Sequence, residues 1–116
     1  MKPYHISKTE SPGMWVDLEA IQTISDVYVA PEQFWIRSSY YSTLPPASFS
    51  IQFAFQNEPK VMETFERLTN FDYSELENEE NRLKREYEIV TIEREIIAFK
   101  KMHEDLVAAW LAIRST

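Results

Sequence analysis

His103, Glu104 and Asp105 stand side by side in "KKMHEDLV" and form the grouping closest to a catalytic cluster in this chain. Their spacing argues against shared chemistry. Neighbours on a helix point about 100° apart, so the three side chains cannot readily converge on one ion or one proton. A zinc-protease arrangement needs histidines four residues apart, and a di-iron arrangement needs a glutamate three residues before the histidine; position 100 is lysine. His103 is instead spaced as part of an apolar seam, where a single polar residue commonly sets helix register.

Two other groupings have chemical potential. Asp17 and Glu19 would share one face of an extended strand, the minimum for a carboxylate pair, and a solvated sheet face explains them equally. Trp35, Arg37 and Tyr41 alternate in "FWIRSSYY" so that all three point the same way. Such a face could stack a nucleotide-like ligand while Arg37 answers its anionic group; core packing of Trp35 beneath a helix is the competing reading. His5 has no nucleophile poised beside it, and its place near the start of the chain reads as mobile. No G-x-S-x-G, P-loop or G-x-G-x-x-G occurs, and one glycine in the whole chain leaves little material for phosphate-cradling loops. With neither a nucleophile nor a partnered base assignable, the chain does not read as an enzyme, and it calls for no metal or cofactor.

The elements that must position these residues fall into two halves of a single domain, residues 1–73 and 74–116. All six prolines and the lone glycine lie within residues 1–59; from Lys60 onward neither occurs. The first half is β-rich. In "SFSIQFAFQ", Phe49, Ile51, Phe53 and Phe55 alternate with Ser50, Gln52, Ala54 and Gln56, giving a strand with one apolar face. Residues 33–41 read as its antiparallel neighbour across a proline-containing loop. Residues 14–30 give one strand, or two broken near Asp17–Glu19, with Val16, Leu18 and Ala20 inward. Residues 60–69 are ambiguous between helix and strand, and a returning strand is the preferred reading.

"NFDYSELENEE" opens a C-terminal helix, with Ser74 and Glu77 as a capping box and further glutamates at the positive dipole end. The fold class is therefore α+β: an antiparallel sheet of four to five strands over residues 1–69, then a long helix over 74–114. Along that helix Ile89, Ile92, Ile96, Phe99, His103, Leu106, Trp110 and Ile113 are spaced alternately three and four apart. A second row, Leu76, Leu83, Val90, Ile97, Glu104 and Leu111, repeats every seven residues beside it. Unbroken, the helix would extend about 60 Å, whereas a domain of this size is roughly 35 Å across. Either it breaks near the β-branched "IVTI" at 89–92, or part of its apolar surface meets another chain. On the second reading Ile89, Ile92, Ile96, Ile97, Phe99, His103, Leu106 and Trp110 form the interface of a dimer or higher oligomer.

Composition narrows the function classes. The 116 residues carry a formal charge of −7, spread as −4 over residues 1–73 and −3 over the rest. The few basic clusters are interleaved with acids, which disfavours direct binding of nucleic acid and suits a protein partner with a basic surface. There is no cysteine, hence no disulfide or thiolate site. No apolar run suits a leader or a membrane span, so a cytoplasmic protein is expected. Short length, acidity and absence of catalytic motifs are similar to small phage-encoded inhibitors of host defence; that likeness is one of composition and assigns no residue a role. The expected function is a non-catalytic, self-associating binding or inhibitor protein. The alternative is a binder of a small anionic ligand through Trp35, Arg37 and Tyr41.

Overall fold

The structure, a computed structural model, describes residues 1–8, 11–35, 45–64 and 79–115. The element order is β1 (Pro3–Lys8), β2 (Ser11–Asp17), a 3-10 turn (Leu18–Ala20), β3 (Ile21–Ile24), β4 (Tyr28–Val29), a second 3-10 turn (Glu32–Phe34), β5 (Ala47–Phe53), β6 (Lys60–Glu63) and α1 (Glu79–Arg114). Among the described residues, two antiparallel sheets, one of two strands and one of four, combine with one long helix. The arrangement is α+β, as the change of period along the chain requires.

β1 and β2 pair with Tyr4 opposite Val16, His5 opposite Trp15 and Ile6 opposite Met14. The register slips between Ile6 and Lys8, and Gly13 takes up the irregularity with φ at +75°. A side chain there would place its Cβ 2.5 Å from the Ile6 carbonyl oxygen, so glycine is required on two counts. His5 is thus part of a paired strand, its ring 4.9 Å from that of Trp15, and not a mobile end. At the end of β2 the chain does break where Asp17–Glu19 suggests. Asp17 Oδ1 accepts hydrogen bonds from the backbone amides of Lys2 (3.0 Å) and Glu19 (3.1 Å), which caps the turn and turns Leu18 into the core.

β5 organises the larger sheet. β3 and β4 pair along one edge of it, through Ile24 opposite Ile51 and Tyr28 opposite Ser48, and β6 pairs along the other, through Met62 opposite Phe49. Strict alternation buries Ala47, Phe49, Ile51 and Phe53 and leaves the residues between them half-exposed. Phe55 does not continue this face. The strand ends at Phe53 in a turn where Gln52 Nε2 donates to the Phe53 and Gln56 carbonyls, so Phe55 is exposed and stacks on Phe53 at 5.4 Å. Residues 60–63 form the returning strand; 65–69 lie outside the described residues. The expected strand over 33–41 is not what begins there. Gln33 and Phe34 belong to a 3-10 turn, Trp35 follows it, and positions 36–41 are outside the described residues, as is the Ser74–Glu77 capping box.

α1 runs unbroken for 36 residues, about 54 Å at the usual rise. The β-branched segment 89–92 does not interrupt it, because Thr91 Oγ1 donates to the Tyr87 carbonyl one turn back at 2.9 Å and keeps its hydroxyl satisfied inside the helix. The described molecule measures 58 × 25 × 22 Å with a radius of gyration of 17.1 Å, well above the roughly 13 Å of a compact domain this long. The excess is the helix. No helix among the described residues is long and apolar enough to cross a membrane.

Candidate interaction face

One helix presents two apolar rows, and the sheets can cover only one of them. Ile89, Ile92, Ile96, Phe99 and Leu106 are buried in a core shared with Ile6, Val16, Leu18, Ile21, Phe49, Ile51 and Met62. Phe99 lies 5.3 Å from the Phe49 ring. Because an α-helix turns 3.6 residues per turn, the residue after each buried position points well away from the sheet. Ile96 is 6% exposed and Ile97 is 68% exposed.

The polar members of the seam tie the helix to the edge of the larger sheet. His103 Nε2 donates to the Ser25 carbonyl at 2.8 Å, and the ring meets Phe49 edge-on at 4.7 Å. That bond fixes the imidazole tautomer and places His103 at the end of β3. Trp110 Nε1 and Arg114 both donate to the Ile21 carbonyl, at 3.1 and 3.3 Å, with the guanidinium 4.6 Å above the indole. These contacts set the rotation of the helix about its axis. Asp105 forms an ion pair with Lys101 at 3.1 Å that pushes the lysine pKa up. The hydrogen bond from Lys2 holds the Asp17 carboxyl below its ordinary pKa, with the Glu19 amide adding to the effect. Asp17 is thus occupied as a cap. Among the described residues, no three histidine, aspartate or glutamate side chains come together as a metal site.

The residues expected to form an intersubunit seam therefore need to be placed again. Seven of the eight find partners inside the chain: Ile89, Ile92, Ile96, Phe99 and Leu106 in the core, Trp110 packed against it, and His103 on Ser25 and Phe49. Both sheets contribute to the core that receives this seam, Ile6 and Val16 from the smaller and Ile21, Phe49, Ile51 and Met62 from the larger. Ile97 alone of the eight faces outward. It belongs to the second row, whose large apolar residues among the described ones are exposed: Leu83, Tyr87, Val90, Ile97 and Leu111 range from 44% (Val90) to 70% (Tyr87). Tyr87, Arg94 and Lys101 complete this row at the alternating three- and four-residue spacing, a signal present in the sequence that a strict seven-residue repeat passes over.

The proposed ligand residues separate differently. Trp35 is buried, its indole Nε1 donating to the Ala30 carbonyl at 2.7 Å, so the ring serves the core. Arg37 and Tyr41 are outside the described residues. Compared with known proteins, the chain matches no protein-family profile, no curated protein and no solved structure.

Proposed function

We propose that this chain is a non-catalytic, self-associating binding protein of inhibitor type, whose association surface is the outward row of α1 and whose acidic surface engages a basic region of a protein partner. One observation carries the reading: a single helix has a buried apolar seam on one side and an exposed apolar row on another. A helix that only covered its own sheets would need one stripe. The exposed side chains of Leu83, Tyr87, Val90 and Ile97 along one row favour a contact that removes them from water. The charge of −7 supports a basic partner surface and weighs against a nucleic acid backbone.

The small-ligand alternative has weaker support, since the Trp35 ring that would stack on a base is packed inside and hydrogen-bonded to Ala30. One melting experiment separates the two. Self-association makes the melting midpoint rise with protein concentration, while a ligand binder responds to a panel of nucleotides at fixed concentration. The expected result is a concentration-dependent midpoint that no nucleotide shifts. A midpoint independent of concentration but raised by one nucleotide would replace the first reading with the second.

A further inference from the structure

We infer that the partner on the outward row is a second copy of this chain, docked antiparallel along α1 with the two-fold axis beside Val90. The inference rests on the self-association proposed above and adds the orientation and register of the pair.

The polar residues in the row decide the direction. Arg94 and Lys101 are both exposed and both lie on it. A parallel, in-register pair would bring each against its own copy, like charge against like, along a contact where helices approach to about 8–10 Å. An antiparallel pair removes both clashes. With Val90 on the axis, positions equally far before and after it face each other. Leu83 and Ile97, seven residues either side, then pack together. Glu79 and Glu80 in the first turn fall beside Lys100 and Lys101 of the other copy. Arg94 comes beside Tyr87 and Glu86, placing a guanidinium by an aromatic ring. The existing Glu80–Lys84 and Lys101–Asp105 ion pairs are exposed, at 3.2 and 3.1 Å, and become members of a wider network without being broken.

The position of the axis also follows from burial. Val90 is the least exposed of the row's apolar residues, suiting the point where two helices come closest, and the larger Leu83, Tyr87 and Ile97 flank it. The buried core lies on another side of α1, away from this row. A two-fold contact of this kind uses the same patch on both copies and closes on itself.

The chain has no cysteine, which makes thiol cross-linking unambiguous. Leu83→Cys and Ile97→Cys are prepared separately, and their melting curves are checked against wild type, since both sites are exposed. In the antiparallel dimer the two Leu83 positions are roughly 21 Å apart along the axis, beyond a short bis-thiol reagent. Leu83→Cys alone should stay unlinked, Ile97→Cys alone should stay unlinked, and an equimolar mixture should give cross-linked heterodimer. If Leu83→Cys links to itself, the helices are parallel; if the mixture stays unlinked while the protein still has a dimer's mass, the register is wrong. Both outcomes overturn this inference and leave self-association standing. A monomer's mass for the wild type overturns the self-association as well.

Discussion

Ile96 and Ile97 are chemically identical neighbours that the fold treats in opposite ways, and truncating each in turn tests the rotational setting of α1. Ile96→Ala removes three buried carbon groups worth about 0.8 kcal/mol each in transfer free energy, and the cavity left beside Phe99 and the sheet adds to that. A loss of about 3 kcal/mol is expected, within the usual range of about 2–5 for such changes. At 68% exposure, Ile97 has about a third of the same transfer energy at stake, under about 0.8 kcal/mol. Alanine's better helix propensity offsets several tenths of that. The assay is urea unfolding followed by helical circular dichroism, at protein concentrations low enough that association contributes little. With a denaturant slope of about 2 kcal/mol per molar, Ile96→Ala should lower the midpoint by roughly 1.5 M, while Ile97→Ala should move it by about 0.2 M. Equal losses for the two variants at low concentration would mean that the sheets cover a different face of the helix, and the interaction face drawn above would go with it.

Other residues give independent expectations. Gly13→Ala should cost about 2 kcal/mol or more, read as a lowered urea midpoint, because alanine must adopt φ of +75° with its Cβ against the Ile6 carbonyl. His103→Phe keeps a ring on Phe49 but removes the donor to the Ser25 carbonyl; a loss of about 0.5–1 kcal/mol by thermal unfolding is expected, and no loss would show that bond to be idle. Asp17 has a folded-state pKa held below its unfolded value of about 3.9. Its contribution is present above that value and lost as pH falls through the lower, folded one. Stability measured from pH 5 to 2 should therefore fall less steeply in Asp17→Asn than in wild type, and parallel curves would remove the capping role.

What could be read from the residues divides along physical lines. The alternation in "SFSIQF" specifies β5 because a half-buried strand needs just that pattern, and the three-four spacing from Ile89 specifies α1. The break at Asp17 was legible because a short side-chain acceptor before a turn has a local use. The identity of the seam's partner was not legible. Periodicity says that Ile89, Ile92 and Ile96 share a face, and the area of sheet able to reach that face depends on the β1–β2 hairpin, which joins the core of α1 from a place distant in sequence. The same limit applies to Trp35. Its alternation with Arg37 suggests a strand face, whereas a 3-10 turn at Glu32–Phe34 rotates the indole inward to the Ala30 carbonyl. Local turn geometry of this kind has only a weak signature in residue type.

The most direct test of the central claim, that the outward row of α1 joins two copies, is the solution mass by light scattering of wild type beside Ile97→Glu at tens of micromolar. The charge introduced there would face the partner's Leu83 and lose its hydration on association. The expected result is twice the 13.8 kDa chain mass for wild type and the single-chain mass for the variant, with the helical signal unchanged. A wild-type mass of 13.8 kDa would contradict it, as would a variant that remains a dimer.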